Sequence, residues 1–161
     1  MKIRKASYHD YDDIWEIFSE VISSGDTYVF SEHTPKEDLK KHWFGENMQT
    51  YVIEDQGLIL GTYILKPNHV GRGKHIANAS YMIKGSVRGK GLGGLLCAHS
   101  VEEAKKAGFK AMQFNLVVAT NEGAIKMWKK YGFEIVGTIP NAFDHAKKGL
   151  IDAFVMHRSL E

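Results

Sequence analysis

The stretch Val87-Arg88-Gly89-Lys90-Gly91-Leu92-Gly93-Gly94 decides how this chain is read. Ahead of it, Ala77 to Ile83 is a strand-like run; behind it, Leu92 to Ala107 has helical spacing. Glycine lets backbone bend sharply and approach a ligand closely. The first amides of the following helix have no intrahelical partner, and the helix dipole adds partial positive charge. With the cations Arg88 and Lys90 beside them, these amides make a cradle for a phosphate or pyrophosphate.

Three phosphate loops compete for these letters. Gly89, Gly91 and Gly94 fit G-x-G-x-x-G, a dinucleotide fingerprint that wants an acid at the end of the next strand, roughly 20 residues on. The next strand, Ala111 to Val118, has no acid. A P-loop needs four residues between its first Gly and the Gly-Lys pair, then Ser or Thr. Gly85 to Gly89 leaves three, and Gly91 follows Lys90. The third form, Arg/Gln-x-x-Gly-x-Gly/Ala, is met by Arg88, Gly91 and Gly93. It is the pyrophosphate loop of the GCN5-related N-acetyltransferase family, which the sequence here resembles.

Length and composition agree with one domain over residues 1–161. The chain is 43% hydrophobic and 25% charged, as expected of a soluble globular protein. A net charge of +2 without charge runs argues against nucleic acid or a membrane surface as partner. The one cysteine, Cys97, excludes an internal disulfide and reads as a small core residue. Neither a secretory h-region nor a stretch of roughly 20 apolar residues is seen, so the expectation is a cytoplasmic protein. The histidines are not spaced as a metal set, so no metal is expected.

Taken in order, Lys2 to Ala6 reads as a strand, and Ser7 or Asp10 caps a helix striped by Tyr11, Ile14, Trp15, Phe18, Val21 and Ile22. Thr27 to Phe30 is a loop or short extended piece with nothing in its pattern to make it core. Thr34-Pro35-Lys36-Glu37 starts a second helix. Gln49 to Glu54 and Leu58 to Leu65 form a hairpin, with a bulge or close approach at Gly61. His75 to Ile83 leads into the cradle, and the helix after it ends at Gly108. Lys110 to Val118, a helix carrying Ala124, Ile125, Trp128 and Tyr131, and strands Phe133 to Ile139 and Ile151 to His157 complete the chain. A loop with Phe143, Asp144 and His145 joins the last two. The result is an α/β (α+β) domain around a mixed, mainly antiparallel sheet flanked by about four helices.

That order is the acetyltransferase family's order, and the resemblance covers nearly the whole chain. A second segment supports it: Asn121 to Phe133 looks like the family's Asn-x-x-Ala…Tyr-x-x-Gly-Phe region, here with Gly132 directly after Tyr131. The resemblance implies that acetyl-CoA lies between splayed central strands. Its pyrophosphate would sit on Arg88, Gly89, Lys90, Gly91, Leu92, Gly93 and Gly94, and Asn121 would face the pantetheine arm. A backbone amide near Met82 or Ile83 would stabilise the oxyanion formed when a neutral amine attacks the thioester. Tyr131 would protonate the departing thiolate, unless it is only the last core aromatic of its helix.

Relatives that acetylate phosphinothricin-like amino acids carry a Glu two residues before the strand's Ser. Asn78 stands there instead, and an amide is no base. Water, His75 or His145 are the other routes for the proton, or the amine arrives neutral. Asn78 and Asn115 either link the splayed strands or reach the acceptor; Tyr28, Phe30 and Phe143 either wall its pocket or pack on the core. Gly25-Asp26-Thr27-Tyr28, Asn78 and Phe114-Asn115 resemble a subgroup near proline-analogue (azetidine-2-carboxylate) acetyltransferases, which implies a small amino-acid-like amine as partner. A protein amine, a non-catalytic acyl-CoA-binding domain and a homodimer remain open at this point.

Overall fold

The computed structural model describes residues 1–161. The elements are β1 (Lys2–Lys5), α1 (Tyr11–Ser23), α2 (Leu39–Trp43), β2 (Gln49–Asp55), β3 (Leu58–Pro67), β4 (Ile76–Ile83), α3 (Leu92–Lys106), β5 (Ala111–Val118), α4 (Glu122–Lys130), β6 (Glu134–His145) and β7 (Gly149–Ser159). The seven strands form one sheet in the order β1-β2-β3-β4-β5-β7-β6. Every pairing is antiparallel except β4 with β5.

Each face of the sheet has its own core. Ile14, Ile17, Phe18, Val21 and Ile22 of α1 and Leu39 and Trp43 of α2 bury against Val52, Ile64 and Met82. Leu92, Leu96, Cys97, Val101 and Ala104 of α3 and Trp128 of α4 cover Tyr63, Ala77, Ala79, Tyr81, Met112 and Phe114 on the other face. Alternate β4 residues thus serve opposite cores, as a period of two requires. Each fully buried Leu, Ile or Phe contributes about 1.5–3 kcal/mol. The one large polar tip on the α1 side is answered: Trp43 Nε1 donates to Thr62 Oγ1 at 2.9 Å, and Thr62 Oγ1 donates to the Tyr51 carbonyl at 2.8 Å.

Three expected boundaries move. The second helix does not begin at Thr34: Pro35 is extended, a 3₁₀ turn over Lys36–Asp38 follows, and α2 has five residues. The closing strands are much longer than expected. Phe143 and Asp144 pair with Ile151 and Leu150 inside the β6–β7 ladder, so they belong to a strand and not to a loop. Thr27–Phe30 is no free loop: Tyr28 bonds to β4, and the Phe30 ring packs on Phe18 and His42 at 5.2 and 4.5 Å. At Gly61 the expected irregularity is present as a register shift against Ile53 and Glu54.

What positions the site is a fork. β4 and β5 pair only at Ile76–Ala111 and Ala77–Met112, then part. Where they part, Asn78 Nδ2 donates to the Gln113 carbonyl at 2.9 Å, a side-chain bond in place of the next backbone rung.

Candidate active site

Peptide groups along a strand point alternately to its two edges. Ile76 O accepts from Asn68 N, and Lys84 N donates to Leu60 O, so even-numbered residues of β4 face β3. His75 O accepts from Lys110 N, so the odd-numbered ones face β5. Past the fork, Ala79, Tyr81 and Ile83 therefore turn their N–H and C=O into the open cleft. Of the two amides expected for the oxyanion, Ile83's faces the cleft; Met82's lies opposite Thr62 in the β3 ladder and does not.

The edge of β4 runs into the glycine cradle. Gly89 (φ +77°) and Gly91 (φ +83°) adopt left-handed backbone that side chains with a Cβ rarely take. Gly91 thereby caps α3, whose first backbone bond is Leu95 N to Gly91 O. The amides of Leu92, Gly93 and Gly94 are left without helical acceptors at the positive end of a fifteen-residue helix. Arg88 and Lys90 stand exposed on either side of Gly89.

Cradle and fork open into one cavity of about 710 Å³. Its wall takes Val87 to Gly89 and Gly91 to Gly94 from the cradle, Asn78 to Ile83 from β4, Phe114 to Val118 from β5, and Asn121, Ala124, Met127 and Trp128 at α4. Thr27 to Phe30 close the far side. Arg88 is the one charged side chain in this lining. Neither His75 nor His145 borders it, so the structure brings neither to the site as a base.

Of the expected site residues, Tyr28, Phe30, Asn78, Met82, Ile83, Arg88, Gly89, Gly91, Leu92, Gly93, Gly94, Asn115 and Asn121 line this cavity; Lys90, Tyr131 and Phe143 do not. Phe143, 5% exposed, is buried in the β6–β7 ladder. Tyr131 follows α4 by one residue, and its ring and hydroxyl lie against Gly94: a Cβ there would meet Oη at 2.6 Å. Its carbonyl accepts from Arg158 at 2.6 Å. In this placement the ring packs between α3 and α4, and the hydroxyl does not border the cavity. One turn earlier, Trp128 borders the cavity, 8% exposed, packed at a tilt on Tyr81 and Phe114 with ring centroids at 4.9 and 4.8 Å. From the sequence Trp128 serves only to place the helix and is not among the expected site residues. Its distance from the Asn121 cap, whose Oδ1 accepts from Ala124 N at 3.4 Å, was the available signal.

The end of the cavity away from the cradle is built of amides and hydroxyls. Asn115 Nδ2 donates to Asn68 Oδ1 at 2.7 Å, and Gln113 Nε2 donates to Asn115 Oδ1 at 3.1 Å. Tyr28 Oη accepts from Tyr81 N at 2.9 Å and donates to Tyr81 O at 2.6 Å. Burial pushes the Tyr28 phenol up to about 12, so it stays protonated at neutral pH. Beneath, Tyr81 Oη and Ser100 Oγ are 2.7 Å apart, and burial holds the Tyr81 phenol well above its ordinary value.

A loop of this form at the end of a splayed parallel pair is matched in known proteins. The model of the Acetyltransferase (GNAT) family matches residues 11–133. The chain belongs to that family. A GCN5-related N-acetyltransferase from Kribbella flavida shares the whole GNAT fold, with a TM-score of 0.93 and 37% identity over 98% of this chain and 96% of that one. The N-acetyltransferase aca1 of Schizosaccharomyces pombe is 34% identical over 79% of this chain; the match spans 57% of aca1. A phosphinothricin acetyltransferase of Sinorhizobium meliloti, solved in complex with AcCoA, shares the GNAT fold at a TM-score of 0.86 and 21% identity, over 98% of this chain and 87% of that one. No set of three or more His, Cys, Asp or Glu is placed to hold a metal ion, and no helix is long and apolar enough to cross a membrane.

Proposed function

We propose that this GNAT domain moves an acetyl group from acetyl-CoA to the amine of a small, amino-acid-like acceptor. One observation carries the reading: an unpaired strand edge leads from a glycine-built anion cradle, through a single cavity, to a wall of neutral amides. The diphosphate suits Arg88 and the amides of Leu92 to Gly94. The pantetheine arm carries two amides of its own, which suit the strand edge at Ile83. The acceptor enters between Asn78, Asn115, Tyr28 and Phe30.

The amine nitrogen attacks the thioester carbonyl, the C–N bond forms, and the electron pair moves to oxygen. Of the cleft-facing backbone donors, the N–H groups of Ala79 and Ile83 still have a hydrogen to give this oxyanion; the Tyr28 hydroxyl spends its own on Tyr81 O. Collapse expels the thiolate and leaves the acetylated amine. No carboxylate or imidazole borders the cavity, so the amine's proton goes to water. A cytoplasmic location and a homodimer complete the reading, the second measurable by sedimentation.

The lack of a base in the lining favours one rival, a domain that binds acyl-CoA without turnover. Calorimetry with coenzyme A and thiol release from acetyl-CoA, with azetidine-2-carboxylate and phosphinothricin among a panel of amines, separate the two. Binding with amine-dependent thiol release is expected. Binding without release selects the rival, and no affinity at millimolar coenzyme A removes both.

A further inference from the structure

The odd feature of the cleft is Tyr28. A single hydroxyl oxygen accepts from Tyr81 N at 2.9 Å and donates to Tyr81 O at 2.6 Å. Those are the two backbone groups a neighbouring strand would have taken at that position. Three residues of β4 open to the cleft, and Tyr28 closes the middle one. On its cradle side only Ile83 stays open; on the fork side only Ala79 does, flanked by the Asn78 clamp to Gln113.

The loop that carries Tyr28 is held at three points. Ala146 N, in the turn after β6, donates to Gly25 O at 3.0 Å, the Phe30 ring packs at a tilt on His42 at 4.5 Å, and Tyr28 itself is bonded to β4. Both hydrogen bonds of the hydroxyl would have to break, in a half-buried place, for an incoming chain to take over Tyr81. Each such bond left unmade carries a desolvation penalty. A ligand amide gains less by displacing the hydroxyl than by using the free position at Ile83.

We infer that Tyr28 is a register stop: its hydroxyl on Tyr81 confines a pantetheine arm to Ile83 and so fixes where the thioester halts, facing the Asn78–Asn115 end. This rests on the acyl-CoA reading above. Tyr28 is a positioning residue in this account. It sets the carrier's advance along β4, and through that the distance left for the acceptor. The alternation of peptide groups makes the advance discrete, since the next usable position is two residues, roughly 6.6 Å, further on.

The test follows amide hydrogen exchange and shifts by ¹⁵N NMR, with coenzyme A as the probe, in the wild type and in Tyr28→Phe. In the free wild type the Tyr81 amide should be protected, and in free Tyr28→Phe it should exchange at least tenfold faster. Coenzyme A should protect Ile83 and leave Tyr81 unchanged in the wild type. In Tyr28→Phe it should newly protect Tyr81, the arm having moved one position inward. Tyr131→Phe serves as a control that leaves this pattern as in the wild type. Equal Tyr81 exchange in the two free proteins overturns the inference, and so does the same coenzyme-dependent pattern in both. Should coenzyme A not bind the wild type, the acyl-CoA reading falls and the stop with it, whereas binding with a wrong pattern sinks the stop alone. If Tyr28→Phe does not fold, Tyr28→Leu, which has no hydrogen-bonding tip, must give the same inward shift.

Discussion

Asn78→Asp is the sharpest test of how the fork is held. In the native protein Asn78 Nδ2 donates to the Gln113 carbonyl at 2.9 Å. An ionised carboxylate there puts an oxygen against an oxygen and has no hydrogen to give. Losing the bond costs about 1 kcal/mol. The facing carbonyl also disfavours the charge, so the folded state raises the carboxyl's pKa above its unfolded value of about 3.9, at about 1.4 kcal/mol per unit. The sign follows: below about pH 4 the protonated carboxyl donates to Gln113 and restores the rung, and the penalty grows as pH rises through the raised folded value. A loss of about 2–3 kcal/mol relative to wild type is expected at pH 7.5, equivalent to about 5–10 °C in a domain of this size. Asn78→Leu should lose about 1 kcal/mol with no pH dependence. Urea titrations at pH 4.5 and 7.5 measure both. An Asn78→Asp protein as stable as the wild type at pH 7.5 would refute the argument, because the Asn78 amide would then contribute no hydrogen bond to the Gln113 carbonyl.

Other outcomes follow from the same geometry. Tyr131→Phe should keep acetyl transfer within about threefold of wild type, since the hydroxyl does not border the cavity; a loss of tenfold or more would return Tyr131 to the chemistry. Gly94→Ala should lose about 1–3 kcal/mol by driving a Cβ to 2.6 Å from Tyr131 Oη, and combining it with Tyr131→Phe should recover part of that in a thermal melt. The Arg4 guanidinium, bonded at 2.8 and 2.9 Å, holds the Asp10 carboxyl below the usual carboxylate range. That stabilisation is present above the unfolded value and fades as pH falls through the lower folded one, so Asp10→Asn should cost about 1–3 kcal/mol at pH 7 and progressively less in acid. Burial pushes the Cys97 thiol up to about 12, and the residue is fully buried. A disulfide reagent at pH 8 should therefore titrate no thiol in the native protein and one after unfolding.

Much of this fold is legible because punctuation and periodicity agree. Gly91, Gly108 and Gly132 bracket α3 and α4, and the apolar stripe of α1 needs no tertiary help to be seen. The β6–β7 hairpin was cut short because β6 is an edge strand. Val136, Ile139 and Pro140 are exposed, register shifts interrupt the ladder twice, and no clean alternation survives. Such irregularity defends an edge and hides it from pattern reading. In the site, the cradle could be read directly because glycine and charge sit in the local sequence. Tyr28 could be named as a pocket wall, but its bond could not, since the partner is the backbone of Tyr81 and a peptide group leaves no letter of its own. Tyr131 is ambiguous in the sequence for a related reason. It lies three residues beyond Trp128 on nearly the same side of α4, one turn too far along the axis to reach the cavity.

The fork also has a consequence for cohesion. Only two residue pairs stitch β1–β4 to β5–β7–β6, so the sheet is perforated down its middle and relies on helices laid across the tear. A molecule lodged there is mortar as much as reactant. Its occupancy and the firmness of the whole domain rise together, and its departure after each cycle reopens the seam.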